Sequence, residues 1–275
     1  FLMGRHSTQG WLSYFPLLLL LKTPLPFLAL AVAAAASRRL RTREALAFLA
    51  LPAAVYFAAA CLSRLQIGHR YILPIYPFLI VGASALFARS SDAASRPVPR
   101  KVKALAAVLL AWYLVGTVRV HPWHLSYVNE VVGSQDRAYR YFTDSNVDWG
   151  QGLKELAGYL RQERIDGVYL CYFGSADPGY YGIRYLPVRF FDGLTPEYAA
   201  AVRRGDPSVA ALPRTVLAIS ATNLQATYYP DKQAFSFLRD VTPSAIVAHS
   251  ILVYDLDRHP AQRRAFRDML GLPVE

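Results

Sequence analysis

Residues 45–62 read ALAFLALPAAVYFAAACL, an 18-residue run with no charged side chain on any face. A surface helix of a soluble protein carries charged or polar residues on the side away from the core. The length of the run falls within the range of about 17–25 residues that an α-helix needs to cross a lipid bilayer. We therefore predict a membrane-spanning helix over this run.

Three further apolar stretches flank this run. They cover residues 11–36, 71–88 and 104–118. The first contains Lys22, Pro24 and Pro26, so we expect that span to be tilted or kinked. The sequence thus predicts a membrane all-α region of about four transmembrane helices in residues 1–118.

The net charge of +11 is unevenly distributed along the chain. Residues 1–118 carry 13 Lys and Arg residues and two acidic residues, whereas residues 119–275 carry 17 Lys and Arg residues and 17 acidic residues. The excess lies mostly in short segments between apolar runs, at residues 37–44 and 89–103. This is the charge pattern of membrane topology, and it argues against a nucleic-acid-binding face.

Short loops rich in Lys and Arg stay in the cytoplasm. The two basic loops are separated by two spans, so the same side holds both, and residues 119–275 are predicted to lie outside the cytoplasm. Glu44 and Asp92 are the only acids before Glu130, and this topology places both inside. A catalytic base at the outer face would then come from residue 130 onward or from sequence outside this chain.

Residues 119–275 have the size and charge balance of a folded extracytoplasmic domain. Their patterns predict helices and β-rich strands in alternation, which is typical of an α/β fold. The predicted helices are 151–162 and 260–270, and the predicted strands are 167–173, 214–220 and 246–256, the last with a possible break at Ser250. Residues 177–213 look loop-rich.

Cationic residues near the spans are candidates for a phosphate site. Lys22 interrupts an apolar run, where it either contacts a lipid phosphate or pyrophosphate, or extends to the membrane surface. His69 and Arg70, followed by Tyr71, stand at the start of the third span. They could bind a phosphate, although interfacial anchoring by Arg70 and Tyr71 explains them slightly better on the residues alone.

One segment has the spacing of a calcium-binding loop. Its ligand positions would be Asp144, Asn146, Asp148 and Glu155. Trp149 stands where such a loop needs glycine for its sharp turn. The pattern therefore favours an Asp- and Asn-rich turn that caps a helix at Gln151, and no metal is expected.

Aromatic residues are dense between the predicted strands. Tyr180, Tyr181 and Tyr185 fall in one loop, and Trp123 and Trp149 precede it. Aromatic faces beside polar groups suit sugar rings, and the three tyrosines are candidates for acceptor binding. The same residues would equally suit a core or a membrane-facing belt.

Five runs together resemble the C-terminal half of bacterial family-39-like membrane glycosyltransferases, of the GT-C type, and the opening segment GRHSTQGWLSYFPLLLLLKTPLP (4–26) resembles their late outer loop and the span that follows it. The five runs are GHRYILPIYPFLIVGASAL (68–86), HPWHLSYVNEVVGS (121–134), YFTDSNVDWGQGLKEL (141–156), AISATNLQATYYPD (218–231) and SILVYDL (250–256). The resemblance departs at Gly133-Ser134, where a Gly-Gly pair is expected, and at Gly152, where an acid is expected.

The resemblance implies an integral-membrane enzyme that moves a sugar from a polyprenyl-phosphate donor to an acceptor outside the cytoplasm. It implies that Lys22, His69, Arg70 and Tyr71 lie near the donor phosphate, with Arg70 first and Lys22 second. Nothing in the chain matches the family's first outer loop, which carries the catalytic acid, so a C-terminal fragment is expected.

The resemblance places the protein in the bacterial inner membrane, with the lipid bilayer and a lipid-linked sugar as partners and with no certain cofactor. The alternative is a non-enzymatic, membrane-anchored module that binds a glycan or a protein partner through residues 119–275.

Overall fold

The computed structural model describes residues 1–87, 99–189, 193–194 and 212–270. The chain forms two compact units. The helical unit is Ser7–Gln135, and the sheet unit joins Phe1–His6 to Asp136–Glu275. The division falls after Gln135 rather than after residue 118, because the segment that follows the last long helix is hydrogen-bonded back to the first one.

The helical unit contains five α-helices among the residues that the structure describes. They are α1 Tyr14–Lys22, α2 Leu25–Ala36, α3 Arg43–Leu62, α4 Tyr76–Ser84 and α5 Arg100–Val120. A 3₁₀ helix, His69–Ile75, leads directly into α4. Helix α2 packs against α4 and α5, and the 3₁₀ helix packs against α1 and α3.

Two helices, α3 and α5, are long and apolar enough to cross a membrane. Their most apolar windows are not buried inside the protein, so their apolar side chains are available to lipid. Helices α1 and α2 would form a third span as a pair, but they are bent by 114° at a short break. The expected kink in residues 11–36 is therefore present, and Pro24 and Pro26, which lack backbone N–H groups, account for it.

The predicted span at residues 71–88 takes a different form. Its α-helix, α4, has nine residues, and the preceding 3₁₀ helix contains Pro74. Nine residues rise only about 14 Å, less than the roughly 30 Å thickness of a hydrocarbon core. Ala88, the end of the predicted span, lies outside the described residues, as does most of the basic segment 89–103. The crossing at residues 71–88 stays a prediction.

The sheet unit is built on a mixed sheet. Its described strands are β1 Val168–Cys171, β2 Tyr185–Arg189, β3 Gly193–Leu194, β4 Val216–Ser220, β5 Ala245–Val247 and β6 Ile251–Asp255. Their order is β3-β2-β1-β4-β6-β5. Strand β1 pairs in parallel with β2 and β4, whereas β6 pairs antiparallel with β4 and β5.

Helices cover the sheet. They are α6 Leu153–Gln162, the short α7 Ala221–Leu224 and α8 Pro260–Leu270. Helix α6 buries Leu153, Leu156 and Leu160 against one face. On the opposite face Tyr169 of β1 meets Phe266 of α8 edge to face, with ring centroids 5.2 Å apart. The α/β architecture expected for this part of the chain is confirmed.

Local patterns located most of these elements. The expected helix at 260–270 matches α8, and α6 begins two residues later than expected. The apolar run at 246–256 does break near Ser250, where Ala248 and His249 have positive φ and form the turn of the β5–β6 hairpin. The expected cap of α6 is wrong, because Gly152 stands at its N-cap and no side chain caps it.

Strand β2 was not expected. It lies in the segment 177–213, whose Gly, Pro and Tyr content suggested loops, and part of that segment lies outside the described residues. Pro187 interrupts the β-forming pattern, yet Tyr185, Leu186 and Pro187 all lie in register with the buried strand β1. Burial against a central strand outweighed local propensity here.

Candidate functional site

The break between α1 and α2 is the candidate site in the helical unit. Helix α1 ends at Lys22 and α2 begins at Leu25. A helix end leaves its last carbonyls without partners inside the helix. Broken helices at membrane depth occur where other protein groups satisfy these carbonyls, and they commonly form ion- and substrate-binding sites.

Asn129 closes the break. Its Nδ2 donates to the carbonyls of Leu20 at 2.5 Å and Thr23 at 2.9 Å, and its backbone N–H donates to the carbonyl of Leu21 at 2.8 Å. The Asn129 side chain is buried. Sequence reasoning missed this role, because nothing in a single sequence links residue 129 to residue 20.

Lys22 is buried rather than extended to the surface. Its Nζ donates to the carbonyl of Leu125 at 2.8 Å. The ammonium group is therefore held at the break by the segment that also contains Asn129. A buried cation of this kind is suited to bind an anionic group that approaches the break.

A chain of hydroxyl and imidazole groups lies next to Lys22. Tyr76 Oη lies 2.5 Å from Thr23 Oγ1 and 2.7 Å from His69 Nε2. Lys22 is close enough to act electrostatically on His69. The break therefore gathers an ammonium, an imidazole and two hydroxyl groups.

Arg70 occupies a different position from His69. Its side chain is exposed, and its guanidinium group lies over the ring of Tyr71, 5.5 Å from the centroid. Among the four residues predicted to lie near a phosphate, Lys22 and His69 thus come together, whereas Arg70 and Tyr71 stack on each other.

An apolar groove adjoins this cluster. It has a volume of about 270 Å³, and its lining residues are Pro24, Pro26, Phe27, Leu30, Tyr76, Ile80, Leu109, Leu110 and Tyr113. Tyr76 belongs to both features: its ring stacks on Phe27 at 6.0 Å, and its hydroxyl group joins the polar chain. The polar cluster and the apolar groove are therefore continuous.

Replacing Asn129 with alanine is expected to lower the free energy of unfolding of the helical unit by about 2–4 kcal/mol, because buried carbonyls lose their donors. Thermal unfolding of the full chain in detergent measures this. Gln9→Ala, which removes an exposed amide from the same unit, is the control and is expected to change stability little. Equal stability of the two variants would show that Asn129 does not hold the break.

The sheet unit does not assemble the calcium loop. Asp144 accepts hydrogen bonds from the Tyr228 hydroxyl and from the backbone N–H of Ser145. Glu155 lies in α6. Within the described ranges, no group of three or more His, Cys, Asp or Glu side chains is placed to hold a metal ion.

Asp148 is fully buried at the edge of the sheet. Burial raises the pKa of its carboxyl to about 7. Hydrogen bonds from the backbone of Gly150 and from Ser220 and Thr222 lower the pKa by less. Its Oδ2 has no hydrogen-bond partner in the described part of the protein.

The three candidate acceptor-binding tyrosines have different environments. Tyr180 is exposed and contacts the ring of Tyr181 edge to face, with centroids 5.3 Å apart. Tyr181 and Tyr185 are partly buried and pack against the core under α6. Core packing accounts for two of the three, and acceptor binding by these residues stays a prediction.

No protein-family model, curated protein or solved structure matches this chain. The interpretation of its function therefore depends on the residues and their geometry.

Proposed function

We propose that this chain binds the lipid-linked donor in a membrane glycosyltransferase that moves a sugar from a polyprenyl phosphate to an acceptor outside the cytoplasm. The observation that carries the proposal is the continuity of the polar cluster at the α1–α2 break with the apolar groove beside it. The five runs that resemble family-39-like enzymes support the same function.

The chemistry of the donor fits the two features separately. Its phosphate oxygens are acceptors only, and the Lys22 ammonium, the His69 ring and the Tyr76 hydroxyl are donors or can become donors. Its polyprenyl chain is apolar and flexible, so it can fill a groove lined mainly by Pro, Leu, Ile and aromatic side chains.

These groups would act on the leaving phosphate. Breaking the bond between sugar and phosphate leaves charge on the phosphate, and a fixed cation next to it lowers the barrier. The cluster contains no carboxylate among the described residues. In this unit Glu130 accepts a hydrogen bond from Trp112 Nε1 at 2.8 Å. The proposal therefore assigns donor binding to this chain and leaves the catalytic base unassigned.

The same proposal includes the finer membrane arrangement. It has four spans in a GT-C-like bundle in a bacterial inner membrane, with residues 119–275 outside the cytoplasm. The apolar, unburied windows of α3 and α5 support insertion in a bilayer.

Binding of undecaprenyl phosphate, compared with undecaprenol, tests the proposal on the full chain in detergent. The alcohol has the same chain without the phosphate. We expect the phosphate to bind at least about tenfold more tightly, and we expect Lys22→Met to remove this preference while keeping a side chain of similar length. Native mass spectrometry measures both ligands.

Lys101→Met is the matched control, because Lys101 is an exposed cation of the same unit. This variant is expected to keep the preference for phosphate. Arg70→Ala measures the contribution of the surface arginine, and in a transfer assay of the complete enzyme it is expected to lower activity more than expression. A Lys22→Met protein that melts like wild type and still prefers the phosphate would contradict the proposal.

A further inference from the structure

Three aromatic rings form a row at one edge of the sheet unit. The Trp149 and Phe173 rings meet edge to face at 5.7 Å, and Phe173 stacks on Tyr228 at 5.8 Å. Trp149 is 55% exposed and Tyr228 is 40% exposed. Two large aromatic side chains are therefore exposed to solvent at the same edge of the sheet unit.

The position of the row matches where α/β folds bind ligands. Phe173 follows the end of β1, and Ser220 ends the parallel strand β4. The crevice outside the carboxyl ends of parallel strands is the usual binding position in such sheets. The Phe173 backbone N–H donates to Ser220 Oγ at 3.0 Å, which ties the row to this edge.

A shallow groove of about 470 Å³ lies beside Trp149 and Phe173. Its lining residues are Trp149, Tyr172, Phe173, Gly174 and Ser175. Among the lining residues that the structure describes, none is a Lys, Arg, Asp or Glu. The volume is that of a site for one small ligand, and the uncharged lining favours a neutral one.

Buried polar groups lie immediately behind the groove. Asp148 is hydrogen-bonded to Ser220 and Gly150, and the Tyr172 hydroxyl donates to the Gly150 carbonyl at 2.6 Å. Asp148 Oδ2 and Asn223 Oδ1 are buried acceptors without hydrogen-bond partners in the described residues. Unsatisfied acceptors of this kind are uncommon in folded proteins. Both atoms are closed to solvent, so a ligand in the groove would meet the Tyr172 and Ser175 hydroxyl groups in front of them.

We propose that the groove lined by Trp149, Tyr172 and Phe173, with Tyr228 stacked on the Phe173 ring, is a binding site for a neutral sugar ring. The apolar C–H face of the ring stacks on the exposed indole, and its hydroxyl groups reach the hydroxyl groups of Ser175 and Tyr172, directly or through water. A peptide or a lipid chain would need a longer apolar channel, and an anion would need a cation in the lining.

This site is independent of donor binding. All of its residues belong to the sheet unit, whereas Lys22 and the apolar groove belong to the helical unit. It also differs from the tyrosine loop suggested by the sequence. Among the ring contacts of the described residues, Tyr180 meets Tyr181 and none of the three rings of the row.

Saturation-transfer NMR with the methyl glycosides of glucose, galactose, mannose and xylose tests the proposal on the full chain. The detergent must have no sugar headgroup, because a maltoside would compete for the site. We expect saturable binding of at least one glycoside with a Kd on the order of 1 mM or below. Trp149→Ala is expected to weaken it by about tenfold or more, and Trp149→Phe is expected to retain most of it.

Tyr180→Ala tests the tyrosine loop as the alternative position of the sugar, and it is expected to leave binding unchanged. Binding that is lost in Tyr180→Ala but kept in Trp149→Ala would place the sugar in that loop and overturn the site at Trp149. Lys22→Met is also expected to leave glycoside binding unchanged, so the failure of one proposal is distinguishable from the failure of the other. The sugar site is overturned if no glycoside binds saturably, if folded Trp149→Ala binds like wild type, or if adenosine displaces the glycoside as the tighter ligand.

Discussion

Replacing Asp148 with asparagine is expected to stabilise the sheet unit at pH 8 by up to about 4 kcal/mol and to have almost no effect near pH 4. The carboxyl is fully buried, and burial raises its pKa from 3.8 to about 7. Each pKa unit corresponds to about 1.4 kcal/mol of preference for the neutral form. Asparagine is neutral at every pH, and its amide can still accept the hydrogen bond from the Gly150 N–H at 3.2 Å.

The sign of this effect follows from proton binding. Between pH 4 and 7 the folded protein holds a proton on Asp148 that the unfolded chain has released. The contribution of Asp148 to the free energy of unfolding of the wild type therefore falls as the pH rises from 4 to 7, and it is level above pH 7. The Asp148→Asn variant carries no such dependence, so the two proteins diverge as the pH rises.

Hydrogen exchange of peptides that cover β1 and β4 measures this difference in the full chain at pH 5 and pH 8, after correction for intrinsic exchange rates. Asp166→Asn is the control, because Asp166 is exposed in the same unit. A stabilisation by Asp148→Asn that is equal at both pH values, or larger at pH 5, would show that Asp148 is not a buried acid with a raised pKa.

Replacing Gly150 with alanine is expected to destabilise the sheet unit by about 2–5 kcal/mol. Gly150 has a φ of +81°, where an L-residue costs roughly 1–2 kcal/mol. A Cβ there would also overlap Tyr172 Oη and lie 2.8 Å from Gly174 Cα. Relief of that overlap costs typically about 1–3 kcal/mol. Because Gly174 contributes backbone, the contact cannot be relieved by moving one flexible side chain.

Gly158→Ala is the matched control for this prediction. Gly158 lies inside α6, and a Cβ there would meet nothing within 4 Å. The same substitution is expected to stabilise the protein by about 0.5–1 kcal/mol, because alanine loses less backbone entropy in a helix than glycine does. Thermal unfolding of the full chain compares the two variants. A Gly150→Ala protein as stable as wild type would mean that Tyr172 does not approach the backbone this closely.

Local sequence was sufficient for the elements whose pattern depends on near neighbours. Helix α8 and strands β1 and β4 were located within two residues, because a helical or extended apolar pattern is defined over a few positions. The kink at Pro24 was also foreseeable, since proline affects its own turn. Strand β2 was missed, since its strand character comes from pairing with β1 rather than from its own composition.

The candidate sites were less accessible from sequence. Lys22 was singled out because a charge in an apolar run is anomalous by itself. Its partner, the carbonyl of Leu125, is a backbone atom about 100 positions away and carries no sequence signal. The ring of Tyr228 stacks on Phe173, which is distant in the sequence, so this contact has no sequence signal either. Of the three tyrosines that the sequence suggested, Tyr181 and Tyr185 pack against the core.

The sequence by itself determined that apolar helices with basic connecting segments precede an α/β domain, because hydropathy and charge are summed along a contiguous run. Only the tertiary structure decided that Asn129 closes the break in the first helix pair, that burial raises the pKa of the Asp148 carboxyl, and that Trp149, Phe173 and Tyr228 form one row. Each of these depends on contacts between distant residues, and such contacts exist only after the chain has folded.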